Sequence, residues 1–259
     1  MKIHIIGGGN LGVAIAIGIS KYSKNNQVTL TRRNIETIQY LEQEGITVSA
    51  NNSLHIDKSD LVILTIKPFQ VDTVLEEILP FLNNATIIAS AVSGLSISEL
   101  QQKAGSKYTI VHIMPNIAAR FGESATCISY LDHHKTEAQK VISLFNDLGT
   151  VSIIDEKLMD AATVLGACGT AYALRYIRAS MQAGIEIGFD AATALAIASQ
   201  TAKGAATMAL EEKIHPEQLI DRVTTPQGCT IVGLNEMEHE GFSSSLIKGI
   251  KTSLHKIKG

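Results

Sequence analysis

Three glycines at G-x-G-x-x-G spacing, Gly7, Gly9 and Gly12, stand between an apolar run, Lys2-Ile3-His4-Ile5-Ile6, and an amphipathic helical pattern. That placement suits phosphate chemistry. Gly7 allows a tight turn, Gly9 lets the backbone approach a pyrophosphate, and Gly12 lets the following helix lie close to the strand. The first helical amides, around Asn10 and Leu11, then face the phosphates. Two other readings use the same residues: a glycine turn with no ligand, and a secretory leader built from Met1-Lys2, the apolar run and Ala14-Ile15-Ala16. His4, Asn10 and the glycines interrupt any leader core, so the expectation is a dinucleotide site lined by Gly7, Gly9, Asn10, Leu11 and Gly12.

The end of the next strand-like run, Gln27-Val28-Thr29-Leu30-Thr31, should say which dinucleotide. About 20 residues beyond the glycines, an NAD site carries Asp or Glu for the ribose hydroxyls. Here the chain reads Thr31-Arg32-Arg33-Asn34. Two guanidiniums and a hydroxyl suit a 2′-phosphate, because Arg grips phosphate oxygens in a planar fork. The bland alternative is a pair of solvated arginines opening a surface helix. With no carboxylate present, NADPH is expected over NADH, NADH remaining usable.

A second stretch with chemical content is Asp221-Arg222-Val223-Thr224-Thr225-Pro226-Gln227-Gly228-Cys229-Thr230, followed by a helical pattern to about His239 and then Gly241. Thr225 suits an N-cap and Pro226 a first helical residue. A capped helix start needs no further explanation. It also presents free amides, hydroxyls and the positive end of a helix dipole, which suit a substrate carboxylate. The residues alone leave both readings open.

The elements that must position these groups divide the chain in two. After the glycine loop, short β-rich runs alternate with helical stretches: Ile46-Thr47-Val48, Leu61 to Ile66, Ala85 to Ile88, Tyr108 to Ile113, Thr126 to Tyr130 and Val151 to Ile154. This pattern predicts an α/β fold with a Rossmann-like, doubly wound, mainly parallel sheet over residues 1–155. Ligands gather beyond the carboxyl ends of such strands. Lys67-Pro68, Ser93-Gly94 and Pro115-Asn116 are therefore cofactor-side candidates as well as ordinary strand-ending turns. From residue 156 to 259 the pattern is all-helical. Ala191 to Glu212 is alanine-rich, with Ala194, Ala198, Ala202, Ala205, Ala206 and Ala209 at close spacing. So few bulky side chains make a poor isolated core, which points to a second copy of the chain as its packing partner.

Composition bounds the rest. With 259 residues, 45% hydrophobic and 18% charged, the chain fits a two-domain globular protein. A net charge of −3 offers no field for nucleic acid, and no apolar stretch reaches bilayer length. Cys127, Cys168 and Cys229 are few and lack C-x-x-C spacing, which fits a reducing cytoplasm. His133, His134 and Glu137 read as a solvated helix face, and no metal site is expected.

The chain also resembles the pyrroline-5-carboxylate reductase family over nearly its whole length. The resemblance is carried by Ile6 to Gly12, Ile66-Lys67-Pro68 and Met114-Pro115-Asn116, and most of all by the helical part. There Asp160-Ala161-Ala162-Thr163, Gly169-Thr170-Ala171-Tyr172, Ala183-Gly184, Gln200-Thr201, Gly204-Ala205-Ala206 and Val223 to Thr230 follow the family's order and spacing. The resemblance implies a Rossmann domain joined to a helical dimerisation domain, and NAD(P)H-dependent reduction of the cyclic imine 1-pyrroline-5-carboxylate to proline. It implies an active site completed by a partner subunit, in a homodimer or a larger ring of dimers. By resemblance, the amides of Gly228 and Cys229 and the hydroxyl of Thr225 bind the carboxylate, and Thr230 hydrogen-bonds near the imine nitrogen as the catalytic hydroxyl. Asn52, Thr65, Ile66, Lys67, Ser93 and Asn116 line the cofactor by the same pattern.

Departures from the family pattern fall on the substrate side. Gln227 stands where a glycine is usual and is strained if that position needs positive φ. Thr170 replaces a proline, Ile117 a threonine, and Arg178 a glutamate. Two other functions therefore stay in view: reduction of a different cyclic imine, and a catalytically weak paralogue that binds NADPH in a regulatory role.

Overall fold

In the computed structural model, which describes residues 1–258, the alternating pattern becomes one eight-stranded sheet. Its elements run β1 (Lys2–Ile6), α1 (Asn10–Tyr22), β2 (Gln27–Thr31), β3 (Ile46–Ser49), β4 (Leu61–Leu64), α2 (Val71–Ile78), β5 (Ile87–Ser90), α3 (Ile97–Ala104), β6 (Thr109–Met114), β7 (Ser124–Tyr130), α4 (Lys135–Asn146) and β8 (Gly149–Ile153). The strand order is β3-β2-β1-β4-β5-β6-β7-β8. The chain reverses its direction of winding between β1 and β4, the crevice where doubly wound sheets hold nucleotides.

Why these strands read as continuous apolar runs follows from burial on both faces. Ile3, Ile5, Leu61 and Ile63 point to one side, against Ile15 and Ile19 of α1 and Phe145 of α4. Ile6, Val62 and Leu64 point to the other, against Val74, Leu75 and Ile78 of α2 and Leu100 of α3. His4 intrudes on this core. It is 1% exposed, its Nε2 has no hydrogen-bond partner, and burial, aided by His55, pushes its imidazole down to about 4.

β6 and β7 pair antiparallel, the exception in an otherwise parallel ladder. The segment joining them holds only a 3-10 turn, Ile117–Phe121. A parallel return needs a crossover of a dozen residues or more, so the short connection forces the reversal.

Met1–Cys168 forms one compact unit and Gly169–Lys256 another. The first extends beyond the sheet through α5 (Met159–Ala162) and a π-helical turn, Thr163–Cys168. Met159 and Ala162 pack with Met114 of β6. Residues 156–168 are thus helical in pattern yet packed with the sheet, because composition marks where strands stop and not where the chain leaves a core.

The second unit holds α6 (Gly169–Glu186), α7 (Ala191–Glu212), α8 (Pro216–Arg222), α9 (Cys229–His239) and, as far as Lys256, α10 (Phe242–Lys258). α6 and α7 approach closely where Gly184 meets Ala194: a Cβ on Gly184 would lie 3.0 Å from that of Ala194. Among the described residues of this unit only Ala194, Ala198 and Leu219 are buried. Leu174, Ile187, Leu210 and Val232 are each more than half exposed.

Candidate active site

The glycine loop joins β1 to α1, and each expected glycine has a separate reason to be there. Gly7 has φ +113°, and a Cβ on it would meet the Thr65 carbonyl oxygen at 2.5 Å. On Gly12 a Cβ would lie 2.1 Å from the Gly7 carbonyl oxygen and 2.7 Å from Thr65 Oγ1. Gly9 is different: nothing lies within 4 Å of where its Cβ would be. Gly9 is also the N-cap of α1 and offers its amides no side-chain acceptor. Open space over uncapped helix amides is the cradle a pyrophosphate needs, so the loop fits a dinucleotide.

The turn is held from beneath by Thr65 and Thr31. Thr65 Oγ1 donates to the carbonyls of Ile6 and Gly7, at 3.1 and 2.8 Å. The Thr31 carbonyl accepts from the amides of Gly7 and Gly8, at 3.1 and 2.8 Å. Thr31 is fully buried, and its hydroxyl donates to Asn52 Oδ1 at 2.6 Å while Asn52 Nδ2 donates to Glu77. The Thr31 hydroxyl, expected to meet a 2′-phosphate, is engaged by the half-buried Asn52. Thr31 shapes the loop through its backbone. Arg32 and Arg33 are exposed, and Arg32 Nη1 is tied to the Gly8 carbonyl at 2.9 Å.

β4, β5 and β6 are parallel, so their carboxyl ends open on the same sheet edge as the glycine loop. Ile66 and Lys67 follow β4, Ser93 follows β5 and Asn116 follows β6. Lys67 and Ser93 are exposed there. Asn116 is 8% exposed and engaged on both sides: its Oδ1 accepts from the Ala118 amide at 2.9 Å, and its Nδ2 donates to the Gly166 carbonyl at 3.1 Å. Gly166 lies in the π-helical turn, where widened backbone pairing frees carbonyls for such a partner.

Beside the loop lies a cleft of about 370 Å³, whose walls include Gly9, Asn10, Arg32, Tyr40, Arg120 and Phe121. Tyr40, Arg120 and Phe121 escaped the sequence reading. Tyr40 sits in the short 3-10 helix Gln39–Glu44 after β2, and the other two in the turn that reverses β7, neither of which carries a strong periodic signal. A larger hollow of about 450 Å³ between α4 and the amino end of β1 has no chemistry of this kind.

In the helical unit the second chemical stretch folds as a turn ahead of α9. The Gly228 amide donates to the Thr225 carbonyl at 2.9 Å, with Pro226 and Gln227 at the corner and Gln227 at φ +57°. Proline followed by positive φ is the signature of a type II turn. The helix therefore begins at Cys229 with Gly228 as N-cap, and Thr225 and Pro226 lie before it rather than at its cap and first residue. Glycine suits position 228, because a Cβ there would come within 2.4 Å of Thr225 Oγ1 and 3.0 Å of the Thr225 carbonyl oxygen. Gly228 has no side chain to cap the helix, so the amides at Cys229 and Thr230 begin α9 without one. Thr225, Cys229 and Thr230 are all exposed.

Residues 156–259 match the family described as pyrroline-5-carboxylate reductase dimerisation, and residues 2–94 match the one described as NADP oxidoreductase, coenzyme F420-dependent. Pyrroline-5-carboxylate reductase 2 of Dictyostelium discoideum is 44% identical over 98% of this chain and 91% of its own length. The chain belongs to the pyrroline-5-carboxylate reductase family. Pyrroline-5-carboxylate reductase 1 of the same organism is 45% identical over 98% of this chain, which spans 49% of that relative's length. A crystal structure of Plasmodium falciparum pyrroline carboxylate reductase with NADP bound superposes with a TM-score of 0.87 at 27% identity, covering 100% of this chain and 97% of that one.

Against the pyrroline-5-carboxylate reductase pattern, the departure at Gln227 falls on the positive-φ corner that a glycine would occupy without strain. Ile117 opens the 3-10 turn and is 49% exposed. Tyr172 survives from the helical signature, and its hydroxyl pairs with Ser253 Oγ at 2.7 Å. Arg175 and Arg178 are exposed, the latter turned onto Met181 Sδ.

Proposed function

We propose that this chain reduces 1-pyrroline-5-carboxylate to L-proline with NADPH, the last step of proline biosynthesis. The observation that carries this reading is the joint survival of the open Gly9 cradle and the Thr225 to Thr230 turn in a chain 44% identical to such a reductase over 98% of its own length. When bound, NADPH supplies the hydride taken up at C5 of the imine.

The chain's own residues supply position and charge. Gly9, Asn10 and Leu11 hold the diphosphate on the amides of α1, and Gly7 and Gly12 keep the turn that aims them. Arg32 and Arg33 favour a 2′-phosphate, while Asn52, Thr65, Ile66, Lys67, Ser93 and Asn116 form the rest of the cofactor wall. In the helical unit the Cys229 and Thr230 amides and the Thr225 hydroxyl receive the substrate carboxylate at the positive end of α9. Gly228, its own amide taken by Thr225, contributes by keeping the turn closed. The Thr230 hydroxyl orients the imine nitrogen and relays its proton; it is a poor acid in its own right, so the iminium must form with a proton from elsewhere.

The working protein is a homodimer joined through residues 156–259, where exposed Leu174, Leu210 and Val232 supply apolar surface. Light scattering separates a dimer from a larger ring of dimers. Among the described residues no helix is long and apolar enough to cross a membrane. A cytoplasmic site of action agrees with three free cysteines. The test is NADPH oxidation by the purified protein with 1-pyrroline-5-carboxylate, beside the six-membered 1-piperideine-6-carboxylate and a blank. Turnover on the five-membered ring supports the reading. Oxidation confined to the larger ring overturns the substrate, and bound cofactor with no oxidation overturns the enzyme.

A further inference from the structure

Arg120 lies on the 3-10 turn between β6 and β7, a segment that in sequence is remote from both the glycine loop and the end of β2. The fold nevertheless places it in the wall of the 370 Å³ cleft that also contains Gly8, Gly9, Asn10 and Arg32. The turn is fixed in position. A Cβ on Gly18 of α1 would come within 2.3 Å of the Ala119 carbonyl oxygen, and Ala119 itself is fully buried. The neighbour of Arg120 is thus locked against the helix whose amides open the cleft.

The guanidinium has no assigned work in the protein. Among the described residues every ion pair joins other side chains, and the contact recorded for Arg120 is a loose stack on the Phe121 ring at 5.9 Å. Phe121 is itself 66% exposed in the same cleft. Arg32, in contrast, already gives Nη1 to the Gly8 carbonyl. An unpaired planar cation beside an open glycine and a helix N-terminus is matched to a phosphate group.

We propose that Arg120 is a phosphate-binding residue of the cofactor cleft, a second guanidinium brought by the β6–β7 turn to share the dinucleotide with Arg32. This rests on the dinucleotide-reductase reading above and adds to it a residue that the G-x-G-x-x-G loop and the end of β2 do not contain. Two phosphates of the cofactor have the required chemistry, the 2′-phosphate and the diphosphate, and they are separable because NADH carries only the second.

The experiment is a fluorescence titration of NADPH and of NADH into wild-type protein, R120Q, R120K and R32Q, with the thermal midpoint of each variant recorded. Losing one charge-assisted contact weakens binding by about tenfold or more. A loss in R120Q confined to NADPH assigns Arg120 to the 2′-phosphate. An equal loss for both cofactors, partly restored in R120K and with an unchanged midpoint, assigns it to the diphosphate. Unchanged dissociation constants in R120Q, while R32Q is weakened, overturn the role of Arg120 and leave the dinucleotide site standing. If wild-type protein binds neither cofactor, the dinucleotide reading and this inference fall together.

Discussion

Gly9 and Gly12 stand three residues apart in one loop, and the structure separates what they do. At Gly12 an added methyl would sit 2.1 Å from the Gly7 carbonyl oxygen, about 1 Å inside ordinary carbon–oxygen contact. The oxygen is backbone and the methyl has no torsion to swing it away, so the helix must lift from the strand. Overpacking of that order costs about 1–3 kcal/mol. For a unit of this size that is a drop of roughly 3–10 °C in thermal midpoint. Gly9→Ala meets nothing within 4 Å, and its φ of −79° and ψ of −173° are open to alanine. Alanine caps a helix less well than glycine, by up to about 1 kcal/mol, and stiffening the unfolded chain offsets about 0.4–1 kcal/mol of that. Its midpoint should stay within about 2 °C of wild type. Its methyl, however, occupies the space where the diphosphate must approach the amides of α1. Losing one charge-assisted contact of about 1.5–3 kcal/mol weakens NADPH binding by about 10- to 150-fold. Differential scanning fluorimetry and cofactor titration, run on both variants, read the two effects. Gly9→Ala should keep its midpoint and bind NADPH about 10- to 150-fold more weakly, and Gly12→Ala should lose several degrees of midpoint. Wild-type NADPH affinity in Gly9→Ala would refute the assignment of this loop as the phosphate cradle.

Three further outcomes follow from particular residues. Thr230→Ala should lower kcat about tenfold or more while the NADPH dissociation constant stays unchanged; normal turnover would remove this hydroxyl from the mechanism. Gln227→Gly relieves a side chain held at φ +57° and should raise the stability of the helical unit by a few tenths to about 1 kcal/mol in chemical denaturation, whereas a loss of stability would mean that the glutamine holds the turn. His4 takes up a proton near pH 4 when folded and near 6.5 when unfolded. Between those values the unfolded chain binds more protons, so stability falls as pH falls, by about 2 kcal/mol from pH 7 to pH 5. His4→Val should reduce the slope by that amount, leaving what His112 and His134, also lowered by burial, contribute; an unchanged slope would place its origin at those groups.

How much of this was legible in the residues depends on whether a signal is local. The glycine loop, the strands and the helix Ala191–Glu212 were all readable, because burial on two faces or at helical spacing writes itself into short windows of sequence. β7 was expected as a strand, but its reversal was not, since direction is set by the length of the connection and not by the strand's own residues. The same connection hid Arg120 and Phe121. Thr31 was read correctly as the end of β2, but the hydrogen bond of its hydroxyl to the half-buried Asn52 was not, because a hydroxyl at a strand end gives no sign of its partner. The start of α9 was expected three residues early: Thr-Pro is a good helix opening, and the same Thr-Pro followed by a residue at positive φ is a turn. The strain expected at Gln227 is present, since the family glycine marks a backbone conformation that the substitution did not change.

The central claim is that a hydride passes from the cofactor to carbon 5 of the five-membered imine. The most direct measurement is the mass and NMR spectrum of the product formed from 1-pyrroline-5-carboxylate with NADPH deuterated at C4, using the two 4-position stereoisomers in separate reactions. The account requires proline with one deuterium at C5 from one stereoisomer and unlabelled proline from the other. Proline unlabelled from both, or cofactor oxidised with no proline formed, would contradict it.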